Sequence, residues 1–202
     1  MVVGLVGKSC SGKNAVGKIL QKLGLEVWDL DEIAHDGLEV NADAVCALFG
    51  PKAVHRENGK VIVDRSVISD VVFSDPSMRT KLEGILYPWL EKKAIKWAKD
   101  NPNDVLVLNG ALLYRSGFNK LCDSIIYVEA SFKTRLKRAI KRDGVTEEQF
   151  KKREASQEDV DYKVVDYGVP VYLVSTEDGD MDKLRQQVFN ICDTLGIVKK
   201  RT

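Results

Sequence analysis

The chain has 202 residues, 44% of them hydrophobic, with 31 basic and 30 acidic side chains and a net charge of +1. That length suits one domain with room for an insertion, and the charge balance argues against a general nucleic-acid surface. No apolar stretch is long enough to span a bilayer, and the start MVVGLVGKSC has neither the basic region nor the long apolar run of a signal peptide.

The elements alternate. Val2–Val6 is an apolar strand, followed by GKSCSGKN from Gly7 to Asn14. A helix over Lys13–Leu23 carries Val16, Ile19, Leu20 and Leu23 at helical spacing, with Gly24 as its stop. Glu26–Trp28 reads as a second strand, and Glu32–Phe49 as helix in pieces. Gly50–Val72 holds the turn residues Pro51, Asn58 and Gly59, with Val61–Val63 as a short extended piece. Asp75–Lys99 is a long helical stretch that Pro88 should end or kink at Tyr87. Val105–Leu108, Ser124–Val128 and Val169–Val174 complete five strands. Helices over Ser131–Lys141, Thr146–Gln157 and Asp182–Leu195 alternate with them. Lys199, Lys200 and Arg201 read as a frayed, solvated tail. Strand–helix alternation predicts an α/β fold, a three-layer αβα sandwich on a central parallel five-stranded sheet. Ligands in such sheets bind at the C-terminal strand ends, and GKSCSGKN sits at that end of the first strand.

This segment fits the phosphate-loop pattern G-x-x-x-x-G-K-[ST] at every fixed position but the last, so the fold expected is of the P-loop NTPase type. Its glycines let backbone N–H groups close around phosphates, the next helix adds its positive end, and Lys13 reaches the β/γ oxygens. Lys8, Ser9, Cys10, Ser11, Gly12, Lys13, Asn14 and Ala15 form the candidate ATP-binding set. Asn14 stands where a hydroxyl normally ligates Mg²⁺, which leaves a neutral carbonyl as a weak metal ligand. Cys10, beside lysines at a helix start, is either a reactive thiol or a small loop residue whose backbone is what matters. The remaining cysteines, Cys46, Cys122 and Cys192, are scattered with no C-x-x-C pair, which speaks against zinc and against a disulfide framework. Cytoplasmic residence is expected.

Asp29 and Asp31 follow the second strand, beside the loop if strands one and two are near neighbours. An Asp there can accept a hydroxyl proton or hold Mg²⁺ through water; Asp31 could equally cap the helix it precedes. His35, one turn on, is a substrate contact or a groove histidine. The run from Arg135 to Arg153 is rich in cations, and Arg135, Arg138 and Arg142 share a helix face. Arginines there supply bidentate phosphate contacts. The Gly144 turn gives residues 138–160 the form of a lid, although a solvated helix face has the same pattern. Leu112 and Leu113, after the third strand, are candidate pocket residues.

Taken together the motifs resemble the dephospho-coenzyme A kinase family. The resemblance rests on the phosphate loop, D-x-D-x-I-A at Asp29–Ala34, Phe49–Gly50, VDR at Val63–Arg65 and VF-x-D-P at Val72–Pro76. It continues through L-E-x-I-x-x-P at Leu82–Pro88, A-L-L at Ala111–Leu113, R-x-x-x-R-D-G at Arg138–Gly144 and R-x-x-x-Q at Arg153–Gln157. It implies transfer of the ATP γ-phosphoryl group to the ribose 3′-hydroxyl of dephospho-coenzyme A, with ATP and Mg²⁺. No nucleic-acid or membrane partner is implied, and a monomer or weak homo-oligomer is expected. Carried over, Lys13 holds the β/γ-phosphates, Asp31 is the base or hydroxyl anchor, and Arg138 stabilises charge with Arg142 in support. Asp29, His35, Tyr87, Leu112 and Leu113 fall to the acceptor. The chain is then one kinase domain over 1–202, with an acceptor-binding helical insert at about 50–99 and the lid at about 138–160. Departures from the family are Asn14 for Ser or Thr, Tyr87 for His, Tyr114–Arg115 for an acidic residue, and Ser175 or Thr176 for an Asn near the adenine. The alternatives are a kinase of another small nucleotide, or a nucleotide-binding relative with weakened activity. Retention of both Asp31 and Arg138 favours an enzyme. Asn14→Ser should leave ADP release intact or raise it; collapse of activity in that variant would give Asn14 a role of its own.

Overall fold

The computed structural model describes residues 1–111, 113–163 and 166–197; Leu112 and the Lys199–Arg201 tail lie outside the described residues. It has seven strands and eight helices among the described residues. In chain order they are β1 (Val2–Val6), α1 (Lys13–Lys22), β2 (Glu26–Asp29), α2 (Leu30–Val40), α3 (Ala42–Phe49), β3 (Val54–Glu57) and β4 (Lys60–Val63). Then come α4 (Arg65–Ser74), α5 (Pro76–Asp100), β5 (Leu106–Asn109), β6 (Ser124–Glu129), α6 (Phe132–Asp143), α7 (Glu147–Ala155), β7 (Val171–Ser175) and α8 (Met181–Thr194). Among the described residues no helix is long and apolar enough to cross a membrane. The chain divides into two compact units, residues 1–29 with 100–202, and residues 30–99.

The first unit is built on a parallel five-stranded sheet of order β2-β5-β1-β6-β7. β1 is buried along its whole length, as expected of a central parallel strand covered on both faces. Val3 and Leu5 face one side. There Val16, Ile19 and Leu20 of α1 and Leu184, Val188 and Ile191 of α8 pack with Val107, Ile126, Val128 and Val174. This is the three-layer α/β architecture read from the alternation. β1 and β2 are not neighbours, however: β5 lies between them, with Val107 in register with both Val3 and Val27. The chain leaves β2 into the second unit and returns through β5, which takes the slot beside β1.

The second unit, residues 30–99, has its own core. Leu38, Ala42, Val45, Ala53, Val54, Ile68 and Leu86 are its buried members. It runs from Leu30 to Lys99, and α2 and α3 contribute to that cluster. β3 and β4 form an antiparallel hairpin whose turn residues Asn58 and Gly59 both take positive φ, 52° and 76°, the backbone that two-residue hairpin turns require. α4 had no clear periodic signal, yet Asp64 starts it: Oδ1 accepts from Ser66 N at 3.0 Å and from Val67 N at 3.3 Å. α5 runs through Pro88 without ending. Its buried Leu86, Leu90 and Ala94 straddle the proline, and burying that stripe outweighs one lost backbone bond.

A carboxylate beyond β7 holds the start of α6. Glu177 accepts from Ser131 N at 2.6 Å, from Ser131 Oγ at 2.7 Å and from Thr134 Oγ1 at 2.6 Å. The Thr134 hydroxyl first, and then the Ser131 groups, hold its pKa down at about 2, against an ordinary 4.5. A depressed carboxylate contributes stability that is fully present above the unfolded pKa and lost as pH falls through the folded one. In urea titrations, wild type should therefore exceed Glu177→Gln by most above pH 4.5, and the gap should close between pH 4.5 and 2. A gap independent of pH would remove the ionised carboxylate from this role.

Candidate active site

The loop from Gly7 joins β1 to α1. Gly12 is the N-cap of α1 at φ 102°, a backbone that side chains resist. A Cβ there would also lie 3.0 Å from Thr176 Cγ2. Gly12 brings no capping side chain, so the electropositive end of α1 opens into the loop. Cys10 is left-handed too, at φ 62°. A non-glycine residue in that region needs support from its surroundings, and Arg138 gives it.

Arg138 donates from NH1 to Cys10 O and Ser11 O, both at 3.3 Å, and to Thr176 Oγ1 at 2.8 Å, while NH2 donates to Thr176 O. Thr176 Oγ1 in turn donates to Ser11 O at 2.5 Å. Arg138, read from the sequence as a charge-stabilising lid arginine, is here bound to the loop itself. Its donors are engaged by loop carbonyls and by the segment after β7. Arg142, one turn further along α6, is exposed and forks onto Asp143, at 2.6 Å from Nε and 2.9 Å from NH2. The Asp143 bond is the largest influence holding the Arg142 pKa up.

The entry side of the loop meets α7 and the segment after it. Lys8 Nζ pairs with Glu154 at 3.0 Å and Asp161 at 3.1 Å. Glu154 also takes a bidentate pair of bonds from Arg135, at 2.5 and 2.9 Å. Burial works against charge on Lys8, yet the two carboxylates outweigh it and raise its pKa. Burial likewise opposes ionised Glu154, and Arg135 and Lys8 outweigh it and lower its pKa. Ser9 N donates to Gln157 Oε1 at 2.8 Å. The ammonium of Lys8 is therefore tied within the protein. Residues 154–161, the end of the expected lid, are pinned to the loop.

Asp29 ends β2, half-buried, with Asn109 Nδ2 3.5 Å from its Oδ2. Asn109 ends the apolar β5 as a buried amide whose Oδ1 has no partner among the described residues. Asp31 lies inside the first turn of α2, past the cap position, and is exposed, as is His35 one turn on. Tyr87 is half-buried in α5 beside Pro88. Leu113 is fully buried, and a Cβ on Gly4 in the sheet would meet its Cδ2. Asn14 is exposed in the first turn of α1. No group of three or more His, Cys, Asp or Glu among the described residues could hold a metal. Sequence reasoning did not single out Asn109 or Glu154, and it met Thr176 and Gln157 only as pieces of a family pattern. A polar residue closing an apolar strand, as in VLVLN, was the available signal for Asn109.

A strand, a glycine-shaped loop, an open helix end and Lys13 meet at this edge of the sheet, and the chain that builds them is similar to known proteins. A family model described as dephospho-CoA kinase matches residues 1–166. A dephospho-CoA kinase of Porphyromonas gingivalis is 35% identical over 161 residues, 78% of each chain. One of Fusobacterium nucleatum is 30% identical over 201 residues, 96% of this chain and 98% of its own. Among solved structures, TT1252 from Thermus thermophilus superposes with a TM-score of 0.75 at 25% identity, covering 96% of this chain and 97% of its own. A dephospho-CoA kinase from Campylobacter jejuni shares the fold, with a TM-score of 0.67 at 22% identity over 96% of each chain. With the family match spanning the phosphate loop, both aspartates, the arginine helix and the loop-bound Gln157, this chain belongs to the dephospho-CoA kinase family.

Proposed function

We propose that the protein transfers the γ-phosphoryl group of ATP to the ribose 3′-hydroxyl of dephospho-coenzyme A. The observation that carries this reading is the match of residues 1–166 to that family, on a chain whose phosphate loop is shaped and tied down. The acceptor oxygen attacks phosphorus as the bond to the β–γ bridging oxygen breaks. ADP leaves, and the hydroxyl proton passes to a carboxylate. Lys13 and the end of α1 hold the β/γ oxygens; catalysis of this kind is mostly positioning and electrostatics.

Asp31 is the carboxylate we assign to the acceptor hydroxyl. It follows Asp29, the last residue of β2, by two positions in the chain. Asp29, oriented by Asn109, is the second acceptor-side group. His35 and Tyr87 are assigned to the acceptor from the family pattern, and residues 30–99 to its binding. Arg138 acts from within the protein, by holding the loop. The charge-stabilising role passes to Arg142, whose fork onto exposed Asp143 can exchange for phosphate oxygens.

The donor set at α1 fits Mg²⁺. The exposed Asn14 carbonyl would hold it as a weak, neutral ligand, with water and phosphate oxygens for the rest. When bound it neutralises charge on the β- and γ-phosphates.

The test is an ADP-release assay with dephospho-coenzyme A, AMP and CMP as acceptors. Turnover with dephospho-coenzyme A is expected; turnover with AMP or CMP alone would replace the substrate, and ATP binding without ADP would leave a non-catalytic binder. In the same assay Asp31→Asn should lose about 10²-fold or more in kcat, the usual cost of removing a general base. An undiminished kcat would take Asp31 out of the chemistry.

A further inference from the structure

The R-x-x-x-Q stretch ends on Gln157, which the proposed mechanism leaves without a task. Its carboxamide sits on the phosphate loop: Oε1 accepts from Ser9 N at 2.8 Å, across 148 residues of sequence. A backbone N–H can only donate, so the oxygen of the carboxamide must face Ser9, which fixes the nitrogen on the opposite arm of the same planar group. Among the described residues Nε2 has no hydrogen-bond partner. A donor of two protons is thereby carried to the rim of a phosphate-binding loop.

Its supports show which end of the loop it serves. Gln157 N donates to Glu154 O at 3.0 Å, and Glu154 is fixed by Arg135 and Lys8. The carbonyl next to it, Ser156 O, accepts from Arg115 NH2 at 3.3 Å, and Arg115 Nε binds Asp159 at 2.6 Å. Arg115 belongs to the segment that leaves β5, the strand between β1 and β2. The Arg138–Thr176 tie holds Cys10 and Ser11, the next residues of the loop. Gln157 therefore stands at the Lys8–Ser9 end of the loop, ahead of the turn into α1.

We propose that Gln157 is a positioning residue for the terminal phosphoryl group of ATP: the Ser9 N–H holds its Oε1, and its Nε2 donates to a γ-phosphate oxygen. The inference rests on the kinase reading of this loop, but it predicts a discrimination that any acceptor would leave intact. ADP lacks the group that Nε2 contacts, so Gln157 separates ATP from ADP. Glu at this position keeps an acceptor for Ser9 and replaces the donor with a negative charge.

The experiment is calorimetric titration of wild type, Gln157→Glu and Gln157→Ala with ATP and with ADP, beside kcat and KM with dephospho-coenzyme A. Arg135, Glu154, Lys8 and Arg115 are untouched in both variants, and melting curves check that the fold is kept. Gln157→Glu should weaken ATP relative to ADP by about tenfold or more, the scale of one hydrogen bond to a charged group. Gln157→Ala should lower kcat by a similar factor while leaving ADP affinity near wild type. Equal shifts for both nucleotides, or no shift, would reduce Gln157 to a structural tie and overturn the proposal. Tighter ATP binding by Gln157→Ala would overturn it as well, since the carboxamide would then compete with phosphate. Wild-type turnover of a different acceptor would change the kinase reading and leave the ATP/ADP ratio to stand on its own.

Discussion

The guanidinium of Arg138 joins two pieces of backbone that would otherwise be independent. It is held to Cys10 O and Ser11 O on one side and to Thr176 on the other, with Thr176 Oγ1 closing the triangle on Ser11 O. The loop needs this. Two of its residues, Cys10 and Gly12, take left-handed backbone, and a strained segment persists only where its surroundings over-determine it. Once the carbonyls are turned toward the arginine, the N–H groups are turned the other way. That polarity makes a backbone loop a receptor for phosphate.

A second set of ties meets the loop from its entry side. Lys8 is drawn to Glu154 and Asp161, and Ser9 to Gln157. Arg135, almost fully buried, is matched by a bidentate carboxylate, the geometry in which an arginine pair is strongest. The four charges form a network within the protein, and breaking one member would leave the others uncompensated. The cations of α6 thus divide their labour. Arg135 and Arg138 are bound within the protein, and Arg142 is exposed and forked onto its neighbour Asp143. A shared helix face in the sequence shows none of this division, because the pattern records spacing and not what each guanidinium meets.

The residues that local chemistry controls were legible. GKSCSGKN announces its own conformation, since only that placement of glycines and lysine makes a phosphate cradle. The run VVGLV announces a strand buried on both faces. What the sequence could not show is pairing over distance. β5 enters the sheet between β1 and β2 after the whole second unit, and nothing in Leu106–Asn109 says which neighbours it will take. Leu113 read as a pocket residue because an apolar pair at a strand end looks the same whether it lines a cleft or fills a core. Pro88 reads as the end or a kink of a helix because the rule for proline is local, whereas the stripe of Leu86, Leu90 and Ala94 that carries α5 past it without ending is tertiary. Asp64 caps α4 within a segment whose turn residues and short apolar run point to turn and extended chain.

That the phosphate loop is shaped by Arg138 before any nucleotide arrives can be read directly from amide hydrogen exchange of residues 7–15 in nucleotide-free protein. Arg138→Met keeps the length and apolar stem of the side chain and removes every donor. Loop amides should exchange at least about tenfold faster in the variant, with the amides of β1 and β5 unchanged, because the lost bonds lower the local opening free energy without touching the sheet. Equal protection of the loop in both proteins would show that its shape does not depend on the arginine, and would contradict the account.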